Sequence, residues 1–202
     1  MGVTIIEVLG PSDKDVEKDD LIKLVYLEKV IKESLRLYPI APAFPRVSHA
    51  ELKINNYTFP SGTTFVIDVF GLHRHPIWGP DATIFRPERW DNLDSLPKEF
   101  SPFGVGRRTC IGILLSFIFL LTNVLRCEKH INPGEPNSSR AAEDRVFSIQ
   151  KGKVYAMMSM KILLAHLLRR FKVISDITKL DLKLDSLLRP ESGYEIKIEL
   201  RQ

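Results

Sequence analysis

The sequence predicts a mainly α chain with a minor β component, an α+β fold, and three observations lead to that expectation. Apolar residues recur at helical spacing after residue 20 and again after residue 152. Between these runs, residues 51–69 alternate or are β-branched around turn residues, as short strands do. The 202 residues are 44% hydrophobic and 27% charged, which suffices for a core without a disulfide or metal staple.

The first predicted helix begins near Leu21, where Asp19 and Asp20 can cap it, and it ends before Pro39. One apolar face is expected from its regularly spaced residues, Leu24, Leu27, Val30, Ile31 and Leu35. The proline-rich stretch 39–45 then predicts extended chain, because proline fixes φ and lacks a donor.

Two turn signals organise the predicted strands. Asn55-Asn56 divides 51–59 into a hairpin, and Pro60-Ser61-Gly62 returns the chain as a strand over 63–69. Residues 71–103 are rich in proline and have little periodicity, which predicts an ordered meander rather than regular structure.

The character of the sequence changes after Gly112. Residues 113–125 are apolar, whereas 128–144 are polar and typical of a loop. A second helix is expected from Lys153, followed by strands at 171–174 and 194–200. A broad apolar face is predicted for this helix from Met157, Met160, Ile162, Leu163, Leu164, Leu167 and Leu168.

Composition and charge exclude several classes of protein. The net charge of +4 is dispersed without a basic block, so no nucleic-acid partner is expected. Only two cysteines occur, Cys110 and Cys127, which argues against a disulfide-rich secreted module. The start lacks the features of a signal peptide, and the longest apolar run, 113–125, is too short to span a bilayer.

The segment 103–112 is the most informative one for chemistry. Cys110 lies among three glycines, which allow sharp turns and close approach to a flat cofactor, and it follows Arg107 and Arg108. Cations and a following helix N-terminus both favour the thiolate, the form that binds metal. A single thiolate suits an axial haem ligand better than zinc, which needs more ligands. From the residues alone, an inert buried cysteine is the alternative.

This segment resembles the haem-ligand loop of the cytochromes P450, Phe-x-x-Gly-x-Arg-x-Cys-x-Gly. Every fixed position of the pattern is matched, namely by Phe103, Gly106, Arg108, Cys110 and Gly112. Upstream, Glu33-Ser-Leu-Arg36 resembles the Glu-x-x-Arg of the family's K helix. Phe85-Arg-Pro-Glu-Arg-Trp90 resembles its meander element Pro-Glu-Arg-Phe, with Trp90 in place of Phe. The chain is therefore identified as a member of this family, and residues 24–112 resemble an insect microsomal member.

The resemblance implies the C-terminal haem-binding part of the cytochrome P450 fold. Residues 1–202 would form a partial domain containing the K helix, the meander, the haem-ligand loop and the C-terminal helix and hairpin. The implied cofactor is haem b, iron protoporphyrin IX, with Cys110 as the ligand to iron and Arg108 and Arg46 on its propionates. The implied haem-binding set also includes Phe103, Gly104, Gly106 and Gly112. No catalytic side chain is implied within this chain.

The resemblance also implies a buried ion network of Glu33, Arg36 and Arg89. Glu33 and Arg36 are three residues apart, so both project from one face of a helix. Buried ions persist only when they are paired and hydrogen-bonded, so the network is expected to stabilise the core beneath the haem. From the residues alone, a solvated surface pair is the alternative for Glu33 and Arg36.

Further roles follow from the same resemblance. Residues 40–44 would border the substrate pocket, and the hairpin near Ser192-Gly193 would contribute another edge. His73 and His75 fall in a motif, His-Arg-His-Pro, that the family uses structurally, so no metal site is expected there.

The chain departs from the family pattern in two ways. It lacks the Ala-Gly-x-x-Thr element that the family uses to deliver protons to iron-bound dioxygen. In addition, the family continues directly from Cys-x-Gly into a helix, and joining Gly112 to Lys153 restores that pattern as Cys-Ile-Gly-Lys-Val-Tyr-Ala. We interpret residues 113–152 as a foreign insertion, a translated intron or gene-model error, with a lineage-specific loop as the alternative.

The implied function is that of a haem-thiolate monooxygenase that oxidises a lipophilic small molecule with dioxygen. NADPH-cytochrome reductase would supply the electrons. The implied location is the cytoplasmic face of the endoplasmic-reticulum membrane, held by an anchor upstream of this sequence. The alternative is a non-enzymatic truncated fragment or gene-model product without activity.

Overall fold

The computed structural model describes residues 5–10, 14–92, 96–104, 141–185, 187–191 and 196–201. The haem-ligand loop beyond Gly104, the apolar run 113–125 and the hairpin tip at Ser192-Gly193 lie outside the described residues. The α-helices are α1 (Ile5–Leu9), α2 (Lys18–Lys23), α3 (Val25–Leu37), α4 (Val69–Leu72) and α5 (Ala141–Arg170). Short 3-10 helices span Pro76–Trp78, Pro87–Asp91 and Ile177–Lys179. No helix in this part of the chain combines the length and apolarity that a bilayer crossing requires.

The strands are short and pair in twos. They are β1 (Ala43–Val47), β2 (Leu52–Ile54), β3 (Tyr57–Phe59), β4 (Thr64–Asp68), β5 (Phe171–Ile174), β6 (Leu182–Leu184), β7 (Leu188–Pro190) and β8 (Lys197–Leu200). The pairs are β1 with β4, β2 with β3, β5 with β8, and β6 with β7. This mixture of helices and paired strands confirms the predicted α+β class.

The chain divides into two compact units. The first contains residues 1–31, 103–172 and 200–202, and the second contains residues 32–102 and 173–199. Each unit has its own buried residues, and the buried ion network belongs entirely to the second.

In the first unit, the predicted first helix is two helices. α2 begins at Lys18 after the N-cap residue Glu17, whose backbone N–H donates to the carboxylate of Asp20 at 3.2 Å. The prediction that Asp19 and Asp20 precede the helix was therefore wrong, because both lie in its first turn. The helix breaks at Leu24, whose ψ of 54° is not helical, and α3 starts at the next residue.

The helix α5 also differs from its prediction. It begins at Ala141 rather than at Lys153, so residues 141–144, which were predicted to belong to a loop, lie in its first turn. Within its predicted apolar face, Ile162 and Leu163 are exposed. The most buried positions of its C-terminal half follow one another at intervals of four, Lys161, Ala165 and Arg169.

Lys161 is buried because its ammonium group has two partners. Its Nζ donates to the carbonyl of Leu21 at 3.1 Å and pairs with the carboxylate of Glu28 at 2.5 Å. Two bonds to a buried cation offset much of its desolvation, so Lys161 fixes α5 against α2 and α3 within the first unit.

In the second unit, the predicted turns and strands are present. β2 and β3 form an antiparallel hairpin in which Asn55 has a φ of 52°, a conformation that asparagine tolerates. Gly62 has a φ of 86° in the following turn. β4 then pairs antiparallel with β1, with Arg46 opposite Phe65. A small aromatic core forms under the meander from Trp78, Ala82 and Trp90, with Leu96 and Phe100 packed against it.

Candidate functional site

The carboxylate of Glu33 is the centre of a buried cluster in the second unit. Arg36 donates two hydrogen bonds to this carboxylate, from Nε to Oε2 at 2.9 Å and from Nη2 to Oε1 at 2.8 Å. Oε1 also accepts from Arg89 Nε at 2.9 Å and from the backbone N–H of Arg86 at 2.9 Å. Oε2 accepts from Trp90 Nε1 at 3.0 Å. Five donors therefore saturate one carboxylate, which is what a fully buried charge requires.

Arg36 connects α3 to the meander. Its Nη1 donates to the carbonyls of His73 at 2.7 Å and Ala82 at 2.5 Å, and its Nη2 reaches the carbonyl of Ile84 at 3.3 Å. These carbonyls belong to a segment without regular ladders, so the guanidinium supplies donors that secondary structure does not.

Arg89 binds the same segment from the other side. It donates to the carbonyls of Trp78 at 3.1 Å, Asp81 at 3.0 Å and Ile84 at 3.3 Å. Its Nη2 also lies 3.4 Å from the carboxylate of Asp81, which is largely buried. The same carboxylate pairs more closely with the exposed Arg86, at 2.8 Å, so Asp81 is shared between two guanidiniums.

Burial and hydrogen bonding shift the pKa of Glu33 in opposite directions. Burial alone raises the pKa of the Glu33 carboxyl, because it penalises the charged form. The bonds donated by Arg36, by the backbone of Arg86 and by Arg89 outweigh burial and leave the pKa of Glu33 lowered. The carboxylate is therefore charged in the folded protein at neutral pH.

His73 is a fully buried residue in contact with this cluster. Its Nδ1 lies 3.2 Å from the carbonyl of Arg36, and its Nε2 accepts the backbone N–H of Ser101 at 3.0 Å. A carbonyl only accepts and an N–H only donates, so these partners assign the proton to Nδ1. Burial, followed by the charges of Arg36 and Arg74, lowers the pKa of His73 to about 4.

The buried His73 predicts that the chain loses stability in mild acid. Its pKa is 6.5 in a free chain and about 4 here, so the unfolded state takes up a proton that the folded state resists. The stability is complete above pH 6.5 and falls as the pH drops towards 4, by up to about 3 kcal/mol.

This prediction is checked by urea unfolding at several pH values between 4 and 7, followed by tryptophan fluorescence. We expect His73→Gln to flatten the pH dependence in that range, whereas the same change at the exposed His49 leaves it as it was. Identical pH profiles for the wild type and His73→Gln would show that another group causes the loss.

The residues predicted to hold haem are described only in part. Arg46 lies on β1, half-buried, with its guanidinium 4.4 Å from the Phe44 ring centroid and Nη1 donating to the carbonyl of Pro45 at 2.9 Å. Phe103 is half-buried, and Gly104 has a φ of 75°, which L side chains rarely adopt. The remaining predicted members, Gly106, Arg108, Cys110 and Gly112, lie outside the described residues.

The set of donors fits haem in its chemistry. One thiol, Cys110, could bind the haem iron, and two guanidiniums, Arg46 and Arg108, would match two propionates in charge. The positive φ of Gly104 requires a glycine at the start of the predicted loop. The predicted pocket residues differ in exposure, since Ile40 is exposed and Phe44 is half-buried.

Two members of the buried cluster, Asp81 and the indole of Trp90, were not predicted from the sequence. Trp90 was visible as a substitution for phenylalanine, and an indole N–H is a donor that phenylalanine lacks. Nothing in the sequence indicated that Asp81 would face Arg89.

Comparison with known proteins identifies the family to which this fold belongs. The family model described as "Cytochrome P450" matches residues 5–154. The chain belongs to the cytochrome P450 family, whose cofactor is haem b. The predicted resemblance is confirmed.

Individual relatives cover the chain to different extents. It is 34% identical over 200 residues to mouse cytochrome P450 4V2, which covers 96% of this chain and 30% of that protein. Identity to fruit-fly cytochrome P450 4g15 is 29% over 205 residues, and to mouse cytochrome P450 3A13 it is 38% over 124 residues.

A solved structure shows the same fold. The crystal structure of a cytochrome P450, CYP102L1, superposes with a TM-score of 0.70 and 25% identity, over 98% of this chain and 37% of that one. The chain spans 25% of the mouse 3A13 protein and 30% of mouse 4V2.

Proposed function

We propose that this chain is the haem-binding part of a cytochrome P450 monooxygenase in which Cys110 supplies the thiolate to iron. The observation that supports it most directly is the family match over residues 5–154, a range that includes the whole loop 103–112. The buried cluster of Glu33, Arg36 and Arg89 supports it as well, because these are the residues of the two upstream family motifs.

The proposed roles of the residues follow from their chemistry. Cys110 would bind as a thiolate, which Arg107 and Arg108 favour by their charge. Arg108 and Arg46 would hold the propionates by charge-assisted hydrogen bonds and so fix the orientation of the ring. When bound, the haem supplies the activation of dioxygen for oxidising an organic substrate. The cluster around Glu33 would hold the backbone beneath the haem and would not react.

The proposal also includes a substrate class, an electron donor and a cellular location. The substrate would be a lipophilic small molecule bordered by residues 40–44 and by the hairpin near Ser192-Gly193, and a reductase that oxidises NADPH would supply electrons. The proposed location is the endoplasmic-reticulum membrane.

The ligand assignment is tested in a fusion protein that joins the N-terminal part of mouse cytochrome P450 4V2 to this chain. Cys110→His should abolish the thiolate-specific red shift of the reduced carbon monoxide complex, because imidazole replaces the thiolate as the iron ligand. Cys127→Ser, the matched control at the other cysteine, should retain the shift.

The opposite pattern would overturn the assignment. If the red-shifted band persists in Cys110→His and disappears in Cys127→Ser, then Cys127 is the ligand. If no variant, including the wild type, takes up haem, the alternative of a non-enzymatic fragment is favoured.

A further inference from the structure

His73 is the one fully buried histidine among the residues that the structure describes, and its two ring nitrogens bind two separate backbone segments. Nδ1 is bonded to the carbonyl of Arg36 near the end of α3, and Nε2 accepts the N–H of Ser101. These partners are 37 residues before and 28 residues after His73 in sequence. The imidazole thus bridges α3 and the segment that precedes the loop 103–112.

The α3 side of this bridge is fixed in place. Arg36 donates from its guanidinium to the carbonyl of His73 at 2.7 Å while its own carbonyl bonds with the His73 ring. The backbone N–H of His73 is also bonded, to Val69 at 3.0 Å. Because Arg36 is also paired with Glu33, the imidazole cannot shift without disturbing the ion pair between Glu33 and Arg36.

The other side of the bridge is the backbone around Ser101, which is not in a helix or a strand. Ser101 is buried, and the preceding Phe100 packs against the imidazole, with ring centroids 5.5 Å apart. Phe100 also contacts Trp90 at 4.6 Å and Trp78 at 6.3 Å. The backbone at Ser101 is therefore located by an aromatic contact and by the hydrogen bond that its N–H donates to His73.

We propose that His73 is a positioning residue for the haem-ligand loop, which begins two residues after Ser101. Its imidazole is held by Arg36 and binds the backbone N–H of Ser101, and so it determines where the loop starts. The role requires a rigid ring with a donor at one nitrogen and an acceptor at the other, which only neutral histidine offers. The loop part of this inference rests on the proposed function, whereas the Ser101 part does not.

Two conservative variants separate the two bonds. Glutamine places an acceptor near the position of Nε2 and loses the bond at Nδ1, whereas asparagine places a donor near Nδ1 and falls short of Ser101. Each loses one hydrogen bond, so both should unfold at similar temperatures. They should differ in the Ser101 region if His73 positions the loop.

The first measurement is hydrogen exchange of the 202-residue chain at the amides of Ser101, Phe103 and Gly104. We expect exchange on the order of tenfold faster in His73→Ala and His73→Asn, and near the wild-type rate in His73→Gln. Equal exchange in His73→Gln and His73→Asn would overturn the proposal, because the residue would then act by packing alone.

The second measurement is the share of thiolate-ligated haem in the fusion protein, read from the reduced carbon monoxide spectrum. It should fall in His73→Asn and recover in His73→Gln. Should His73→Asn match the wild type while its Ser101 amide exchanges fast, His73 would locate Ser101 without positioning the ligand. A wild-type fusion with no thiolate band would instead contradict the proposed function, and the exchange result would still decide the role at Ser101.

Discussion

Glu33→Ala should leave little folded protein, because it removes the one carboxylate that Arg36, Arg89 and Trp90 share. All three partners are buried, so water cannot replace the lost acceptor. Breaking a buried pair by removing one partner costs about 3–5 kcal/mol, against total stabilities of about 5–15 kcal/mol. The same loss is expected for Arg36→Ala, which also frees the carbonyls of His73 and Ala82.

The measurement is the yield of soluble protein and the midpoint of thermal unfolding by circular dichroism. Glu191→Ala is the matched control, because Glu191 pairs with Lys183 at 3.3 Å with both side chains about half exposed. An exposed pair of this kind is worth about 1 kcal/mol or less. If Glu33→Ala melts at the temperature of Glu191→Ala, the cluster does not stabilise the chain.

Trp90→Phe provides an intermediate variant in the same series. It restores the residue of the family pattern, keeps an aromatic ring and removes only the donor to Glu33 Oε2. The expected loss is about 1.5–3 kcal/mol, the usual range for a hydrogen bond to a charged group. The three variants should therefore rank as Glu191→Ala, Trp90→Phe and Glu33→Ala in order of increasing damage.

The parts of the fold that sequence predicted correctly are specified locally. The hairpin at Asn55 and the turn at Gly62 depend on residues that tolerate positive φ, and such residues are visible one at a time. The buried face of α2 and α3 was predicted because one stripe of apolar residues coincides with one packed face, with Leu24, Leu27 and Ile31 all buried.

The incorrect predictions depend on distant partners. The helix α5 carries apolar residues on a wide arc, so periodicity did not show that Ile162 and Leu163 would be exposed while Lys161 is buried. That burial depends on a carbonyl of α2, at Leu21, 140 positions away in the chain. The hairpin of β6 and β7 was also missed, because its strands are three residues each and too short for a periodic signal.

For the site, the motifs predicted that Glu33, Arg36 and Arg89 lie together, but they did not show which other groups complete the hydrogen bonds of these side chains. The donor from Trp90 and the contact between Arg89 and Asp81 both arise from how the meander folds over α3. The hydrogen bonds of His73 could not be predicted for the same reason, since its two partners lie 37 and 28 residues away in the sequence.

Removing residues 113–152 should increase both the haem binding and the oxidase activity of the fusion protein relative to the intact fusion. The deletion joins Gly112 to Lys153, so the helix would again follow the thiolate directly and direct its N-terminal dipole at Cys110. The change shortens α5, which otherwise begins at Ala141.

The described anchors of α5 lie beyond the deleted stretch, so the shortened helix should still dock. Lys161 keeps its bonds to Leu21 and Glu28, and Ala165 remains in the core of the first unit. The intact and deleted fusions should therefore differ in haem uptake, read from the absorption spectrum, and in NADPH consumption with a reductase. Lys161→Ala in the deleted fusion is the control, because it should weaken the docking of the helix and lower haem uptake again. Equal haem uptake with and without residues 113–152 would show that the segment is a tolerated loop. The thiolate would then need no helix directly after Gly112.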